Sequence, residues 1–185
     1  MIGYAMCGSF CTHSVSLNVL KELARKNDVL PILSFNAYET DTRFGKAETL
    51  IKSLREITGN NVVHTIEAAE PLGPKIKLDA MIISPCTGNT LAKLAHGITD
   101  TPVTMAAKAH MRSSRPLVLA LATNDAMSAN LSNIGQLLNR KSVYFVPLIQ
   151  DDPLNKPHSL VADFSLVEDA YLSALDGVQI RPMFK

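Results

Sequence analysis

The feature that most constrains the fold is an unbroken apolar run within Asp79-Ala80-Met81-Ile82-Ile83-Ser84-Pro85, which small polar residues follow directly. Such a run is typical of a strand that is buried on both faces, as the strands of parallel sheets are. Comparable apolar runs occupy residues 2–7, 29–34, 116–121 and 143–146. The sequence therefore predicts five buried strands.

Segments with apolar residues at helical spacing separate these runs. The spacing predicts helices over residues 14–25, 46–58, 91–96, 102–112 and 160–175, a further helix starting at Asn124-Asp125, and a polar loop over 147–157. Gly59 and Gly97 stand where helices commonly end. Strands that alternate with helices form a parallel sheet through right-handed crossovers. We therefore predict a three-layer α/β fold, a flavodoxin/Rossmann-like doubly wound parallel sheet, with Pro31 in an outer strand.

Length, charge and cysteine content narrow the class of protein. A chain of 185 residues predicts a single domain over residues 1–185. A net charge of +1 does not create the positive electrostatic potential that attracts nucleic acid or an anionic membrane. No apolar stretch reaches the ~18 residues that a membrane-spanning helix needs. Three cysteines without metal-ligand spacing predict no metal site and a reducing, cytoplasmic compartment.

Polar turns follow the first two predicted strands. Gly8-Ser9-Phe10-Cys11-Thr12 comes directly after the first strand, and Ser34 ends the second. Glycine allows close backbone approach, and helix amides with hydroxyl groups suit a phosphate. Ser34 stands where a nicotinamide-binding fold would carry an acid for the ribose, so a phosphate is favoured there. The alternative is a tight turn with a helix cap.

Two further polar turns follow the third and fourth strands. Cys86-Thr87-Gly88-Asn89-Thr90 allows a planar ring to lie against the backbone and to hydrogen-bond at its polar edge. The alternative interpretation of this turn is that Thr87 or Asn89 simply caps the following helix. Asn124-Asp125, after the fourth strand, can likewise be part of a binding site or a helix cap. Because ligands bind at the carboxyl ends of parallel strands, these turns together favour a nucleotide-like cofactor.

Several other side chains are candidates for chemistry, and each has a structural alternative. His13, His64 and His96 are possible proton carriers, or simply exposed or hydrogen-bonded histidines. Cys86 is a possible nucleophile or a small packed residue. Lys108 and Arg112 lie one helical turn apart, so they either contact an anionic substrate or form a solvated face.

The run Pro85-Cys86-Thr87-Gly88-Asn89-Thr90-Leu91-Ala92-Lys93-Leu94-Ala95 resembles the P-x-S-A-N-T-x-x-K-x-A signature of flavin-dependent cysteine decarboxylases and phosphopantothenoylcysteine decarboxylase. The resemblance implies a flavodoxin-like fold and FMN bound between the subunits of a homo-oligomer, often built from trimers. Residues matching its FMN-binding positions are Gly8, Ser9, Phe10, Ser34, Pro85, Thr87, Asn89 and Thr90.

The match to this family's substrate motif, P-x-M-N-x-x-M, is partial. The corresponding residues are Leu121-Ala122-Thr123-Asn124-Asp125-Ala126-Met127, in which Asn124 and Met127 match whereas Leu121 and Thr123 do not. Asn89 and Asn124 are candidates for contact with the substrate, and His64 is the nearest match to the family's catalytic histidine. The departures disfavour cysteine decarboxylation.

Further stretches resemble one branch of this family, the B subunits of bacterial dipicolinate synthases; they comprise residues 8–12, 41–48, 69–75, 106–109, 122–126, 144–147 and 150–153. That resemblance implies a cytoplasmic protein of the sporulating mother cell. It implies a partner, the A subunit of dipicolinate synthase, that uses NAD(P), and a dihydrodipicolinate-type dicarboxylate that is oxidised to dipicolinate. We infer that Lys108 or Arg112 meets a carboxylate of this substrate. The alternatives are a flavin-dependent decarboxylase and a scaffold whose flavin site is empty.

Overall fold

Five parallel strands form the centre of a seven-stranded sheet in the computed structural model, which describes all 185 residues. The five are β1 (Ile2–Met6), β2 (Val29–Leu33), β3 (Met81–Cys86), β4 (Leu117–Thr123) and β5 (Val143–Phe145). They lie in the order β2-β1-β3-β4-β5. This order is that of flavodoxin. Successive strands are added on one side of β1 and then on its other side, so the order of strand addition, but not the strand direction, reverses between β1 and β3. The predicted fold class is confirmed, and so is the outer position of the strand that contains Pro31.

Helices cover both faces of the sheet. They are α1 (His13–Ala24), α2 (Phe35–Glu39), α3 (Ala47–Thr58), α4 (Ile66–Ala69), α5 (Gly88–His96), α6 (Pro102–Met111), α7 (Leu131–Leu138) and α8 (Val167–Leu175). On one face α1 packs against α3 and α8, and on the other α4, α5, α6 and α7 form a connected layer. A single cluster of 48 buried residues fills the space between these layers. None of the helices has the length and apolar character needed to cross a bilayer.

Glycines end two helices at the predicted positions. Gly59 closes α3 with φ of 70°, and Gly97 closes α5 with φ of 72°. Left-handed backbone of this kind costs a residue with a side chain about 1–2 kcal/mol, and glycine avoids that cost. These two glycines therefore set where α3 and α5 stop.

The segment after β5 differs from its prediction. Residues 147–157 are not entirely loop, because β6 (Leu148–Ile149) lies within them, and residues 160–175 are not one helix. Their first part is β7 (Leu160–Ala162), which pairs antiparallel with β6 and with the carboxyl end of β4. Pairing with unsatisfied backbone groups of β4 overrides the helical spacing of the apolar residues here.

The helix predicted to start at Asn124-Asp125 begins later. Residues 124–130 form turns, and α7 starts at Leu131 after Asn130. The Asp125 side chain does not cap a helix, since its Oδ1 atom accepts hydrogen bonds from the side chains of Thr123 and Asn130. These side-chain bonds hold residues 123–130 in a compact polar turn at the end of β4.

A buried hydrogen-bonded cluster ties α1 to the two central strands. The hydroxyl of Tyr4, on β1, donates to the Ser16 carbonyl at 2.9 Å and lies 2.8 Å from Ser16 Oγ. Ser16 Oγ in turn donates to the carbonyl of Ser84 on β3. Complete burial raises the pKa of Tyr4 to about 12, so its phenol stays protonated. The cluster satisfies polar groups that would otherwise be unpaired in the core.

Replacing Tyr4 by Phe is expected to lower the free energy of unfolding by about 0.5–1.5 kcal/mol, because the buried hydrogen bonds between Tyr4 and Ser16 are lost while Ser16 keeps its bond to Ser84. Urea unfolding followed by circular dichroism measures the change. Tyr144→Phe is the matched control, since Tyr144 is half-buried and its hydroxyl makes no hydrogen bond. Equal unfolding midpoints for the two variants would contradict the assignment.

Candidate functional site

The turns that follow β1, β2, β3 and β4 meet at one side of the sheet, which we call the carboxyl edge (residues 7–12, 34–36, 86–90 and 123–130). The Cys7 amide donates to the Pro85 carbonyl at 3.1 Å, and the Ser34 amide donates to the Met6 carbonyl at 3.1 Å. These bonds join the first turn to both of its neighbours. The predicted meeting of polar turns at one edge is therefore present in the fold.

The first turn presents an uncommitted backbone donor. Gly8 is half-buried, and its amide makes no hydrogen bond within the protein. A methyl group added at Gly8 would lie 3.4 Å from Asn36 Cβ, so the turn packs closely beside the residues that follow β2. Ser9 and Phe10 are half-buried next to it and lead into α1. The turn thus carries a half-buried backbone amide that has no partner within the protein.

Ser34 lies beside this surface and also caps a helix. Its Oγ atom accepts a hydrogen bond from the Ala37 amide at 3.3 Å, at the start of α2. A hydroxyl group that accepts one bond still has a proton to donate. Ser34 is 9% exposed, so this proton is available only at the carboxyl edge itself. The cap and an anion contact are therefore compatible.

In the turn after β3, the hydroxyl groups form hydrogen bonds within the protein, whereas one amide side chain forms none. Thr87 caps α5 by accepting from the Thr90 amide, and the Thr90 hydroxyl donates to the Cys7 sulfur at 3.3 Å. Asn89 is exposed, and its side chain makes no hydrogen bond within the protein. The predicted cap at Thr87 is confirmed. The threonines hold the turn in place, while Pro85 and Asn89 form its buried and exposed parts.

The turn after β4 lies directly against this one. A Cβ atom added at Gly88 would lie 2.5 Å from Thr123 Oγ1, 2.7 Å from Asn130 Nδ2 and 3.0 Å from Asp125 Oδ1. The exposed side chain of Asn124 makes no hydrogen bond within the protein, like that of Asn89. Two free amide side chains thus come from neighbouring turns of the same edge.

Two of the three thiols at this edge, those of Cys7 and Cys86, are protected from ionisation, whereas Cys11 is exposed. Cys7 and Cys86 are fully buried, and burial raises the pKa of Cys7 to about 11 and that of Cys86 well above its usual value. A thiol that stays protonated is a poor nucleophile. Cys86 is therefore a packed residue in this structure, as the alternative interpretation of the sequence held.

The three histidines that the sequence analysis named as possible proton carriers differ in position. His13 Nε2 donates to the Cys7 carbonyl at 2.8 Å, and burial lowers the pKa of its ring. His64 stacks on Tyr38 with ring centroids 3.9 Å apart, and its Nδ1 atom donates to the Val62 carbonyl at 3.2 Å. His96 is exposed at the end of α5, about 12 Å along the helix from the carboxyl edge. Only His13 directly supports one of the four turns.

Lys108 and Arg112 are not part of this edge. They lie at the end of α6, which leads into the amino end of β4, and they line a depression together with Glu67 and Glu70. Within one subunit they therefore lie away from the other predicted site residues, and their contact with a substrate carboxylate stays a prediction. The reason is topological, because the last turn of a helix that precedes a parallel strand lies at the opposite side of the sheet.

Sequence reasoning also missed a cleft beside the first turn. It has a volume of about 150 Å³ and lies between α1, α3 and the loop over residues 40–46. Two residues singled out from the sequence, Phe10 and His13, line it, with Leu17, Phe44 and Lys46 among the others. The guanidinium of Arg43 lies 4.8 Å from the centroid of the Phe44 ring. No signal in the sequence pointed to this cleft, since its walls come from separate segments.

Comparisons with known proteins agree with this architecture. The family model described as Flavoprotein matches residues 2–166. The B subunit of dipicolinate synthase from Bacillus subtilis (strain 168) is 42% identical over 183 residues, which cover 98% of this chain and 92% of that protein.

Solved structures give the same result. The crystal structure of the B subunit of dipicolinate synthase from Bacillus halodurans C is 38% identical, with a TM-score of 0.91 over 100% of this chain and 95% of that one. An FMN-dependent cysteine decarboxylase shares the fold, with a TM-score of 0.67, 24% identity, and coverage of 94% and 95%. The chain therefore belongs to the Flavoprotein family, in the branch that contains the dipicolinate synthase B subunits.

Proposed function

We propose that this chain acts as the B subunit of a dipicolinate synthase. In this proposal it binds FMN and works with a nicotinamide-dependent partner, the A subunit, to oxidise a dihydrodipicolinate-type dicarboxylate to dipicolinate during sporulation. The observation that carries the proposal is the 42% identity to the Bacillus subtilis protein over nearly the whole chain. The departures at Leu121 and Thr123 from the decarboxylase motif favour oxidation over decarboxylation.

The residues at the carboxyl edge fit FMN by the chemistry of their donors. The free Gly8 amide and the spare proton of Ser34 suit a phosphate, with Ser9 and Phe10 beside them. Pro85 and the turn held by Thr87 and Thr90 offer a backbone surface for a planar ring. When bound, FMN would supply a centre for two-electron transfer.

Positioning of the substrate falls to the uncommitted amide side chains. Asn89 and Asn124 are exposed and carry both donors and acceptors, so each can hydrogen-bond a ring nitrogen or a carboxylate. Lys108 and Arg112 lie at the other side of the sheet, so a contact with this substrate would have to involve another subunit. His64 keeps its Nε2 atom free and stays a candidate for proton transfer beside the turn after β2.

Assembly and location extend the proposal. We expect a homo-oligomer, built from trimers, because the family resemblance implies FMN bound between subunits. Asn89 and Asn124 at the carboxyl edge and Phe44 in the neighbouring cleft are exposed, which leaves them accessible to another subunit. We place the protein in the cytoplasm of the sporulating mother cell. Its three free cysteines suit a reducing compartment.

Replacing Ser34 by Ala is expected to weaken FMN binding about tenfold or more, because a hydrogen bond to a charged phosphate contributes about 1.5–3 kcal/mol. Riboflavin, which lacks the phosphate, should bind equally well to the variant and the wild type. Quenching of flavin fluorescence on titration measures both affinities.

Thr65→Ala is the matched control for this measurement. Thr65 caps α4 as Ser34 caps α2, by accepting from the backbone amide three residues later, and it is not among the residues proposed to bind FMN. A general loss of stability from a missing cap would affect both variants. An equal loss of FMN affinity in the two, or an equal loss of riboflavin affinity at Ser34→Ala, would refute the phosphate contact.

Mixing this chain with the A subunit of the same organism, substrate, oxidised nicotinamide and FMN is expected to yield dipicolinate. Its ultraviolet absorbance provides the measurement. Without this chain, or without FMN, the rate should fall at least tenfold. Release of carbon dioxide from a cysteine peptide would instead support the decarboxylase alternative. Full activity without any flavin would support the scaffold alternative and contradict the proposal.

A further inference from the structure

The contact between Gly88 and the turn after β4 places one carboxylate against the turn after β3. Asp125 Oδ1 lies within 3.0 Å of the position that a Cβ atom at residue 88 would occupy. Because Gly88 has no side chain, the carboxylate can approach the backbone of the turn after β3. The acidic group therefore lies against the turn that carries Asn89, a residue proposed to contact the substrate.

Hydrogen bonds fix this carboxylate by one oxygen only. Oδ1 accepts from the Thr123 hydroxyl and from Asn130 Nδ2, the latter at 2.9 Å. Asn133 Nδ2 donates to Asn130 Oδ1 at 2.9 Å and extends the network into the base of α7. Oδ2 of Asp125 makes no hydrogen bond or ion pair. One oxygen is thus anchored while the other is free to accept a proton.

The carboxylate remains ionised near neutral pH. The hydrogen bond from the Thr123 hydroxyl is the main cause that lowers the pKa of Asp125. Partial burial opposes this effect, and the Asn130 amide adds to it. The lowered pKa keeps the group deprotonated and able to accept a proton, although it also makes the carboxylate a weaker base than one with a pKa near neutral pH. The role of a base therefore rests on the geometry, a half-buried carboxylate that is fixed by one oxygen and has the other oxygen free.

Three other ionisable groups near the edge, those of His13, Cys7 and Cys86, are less suited to this role. His13 uses Nε2 to hold the Cys7 carbonyl, and its ring is tilted against Phe10 with the ring centroids 5.2 Å apart. The thiols of Cys7 and Cys86 are buried and protonated. Asp125 is the one residue of the four turns that carries a carboxylate, and that group has an unoccupied basic atom.

We propose that Asp125 is the base that accepts the proton released when the substrate is oxidised, an assignment that rests on the proposed function. The substrate loses two hydrogens. One leaves as hydride, with the electron pair of its C–H bond, to the oxidised nicotinamide or flavin. The other leaves a neighbouring ring atom as a proton to Asp125 Oδ2, and the electron pair of that broken bond completes the aromatic ring. The oxidant gains two electrons, and the carboxylate gains one proton.

Asp125→Asn is expected to lower kcat of the complex with the A subunit and FMN about 100-fold, since removal of a general base typically costs 10²–10⁴-fold. The substitution preserves the shape of the turn, because the oxygen of the new amide can accept the same two hydrogen bonds from Thr123 and Asn130. KM and FMN affinity should therefore stay within about twofold, as expected when an interaction made only in the transition state is removed. Asp176→Asn, an exposed carboxylate at the end of α8, is the matched control and should keep wild-type kcat.

Chemical rescue separates proton transfer from a structural role. Added formate should restore activity to Asp125→Ala in proportion to its concentration, whereas chloride at the same ionic strength should not. Wild-type kcat in Asp125→Asn, or equal effects of formate and chloride, would overturn the assignment. If Asp125→Ala does not fold, the kcat of Asp125→Asn decides. If the wild-type complex itself makes no dipicolinate, the proposed function fails first and this assignment fails with it.

Discussion

The hydrogen bond from the Cys7 amide to the Pro85 carbonyl joins the ends of β1 and β3 at the point where the strand order reverses. In open parallel sheets this is where a crevice forms and where ligands bind. The Ser34 amide makes the corresponding bond to the Met6 carbonyl, so backbone bonds join three of the turns. Every functional assignment depends on these turns being held side by side.

Polar groups near the carboxyl edge fall into two sets. The first set forms hydrogen bonds within the protein and holds strands, helices and turns together. Tyr4 and Ser16 link β1, α1 and β3, and the hydroxyl groups of Thr87 and Thr90 fix the turn after β3. Gly8, Asn89 and Asn124 instead leave a backbone or side-chain amide without a protein partner. Buried polar groups are normally satisfied, whereas groups that face a ligand are left free. This division supports a rigid frame that presents a small number of donors and acceptors.

The sequence was most informative where one local signal determined the structure. Buried parallel strands have a continuous apolar pattern, so the five central strands and the turns after them could be predicted. β6 and β7 are two and three residues long, too short to show the alternation of apolar and polar residues that marks a strand. The partner of β7 on β4 is also distant in the chain. The apolar spacing of residues 160–175 therefore suggested one helix, although its first residues form a strand.

In the site, too, features within one segment could be predicted from the sequence, whereas contacts between segments could not. Lys108 and Arg112 share a helix face, but only the direction of α6 relative to β4 shows that they lie away from the carboxyl edge. The polar turn at Asn124-Asp125 was visible in the sequence. The contact of Asp125 with Gly88 was not, because it joins turns from two different strands.

A crystal structure of the protein with FMN tests the central claim most directly. We expect the phosphate within hydrogen-bonding distance of the Gly8 amide and the Ser34 hydroxyl, with the ring system against Pro85 and beside Asn89. Density for FMN elsewhere, for example in the cleft between α1 and α3 with the carboxyl edge filled by solvent, would contradict this claim.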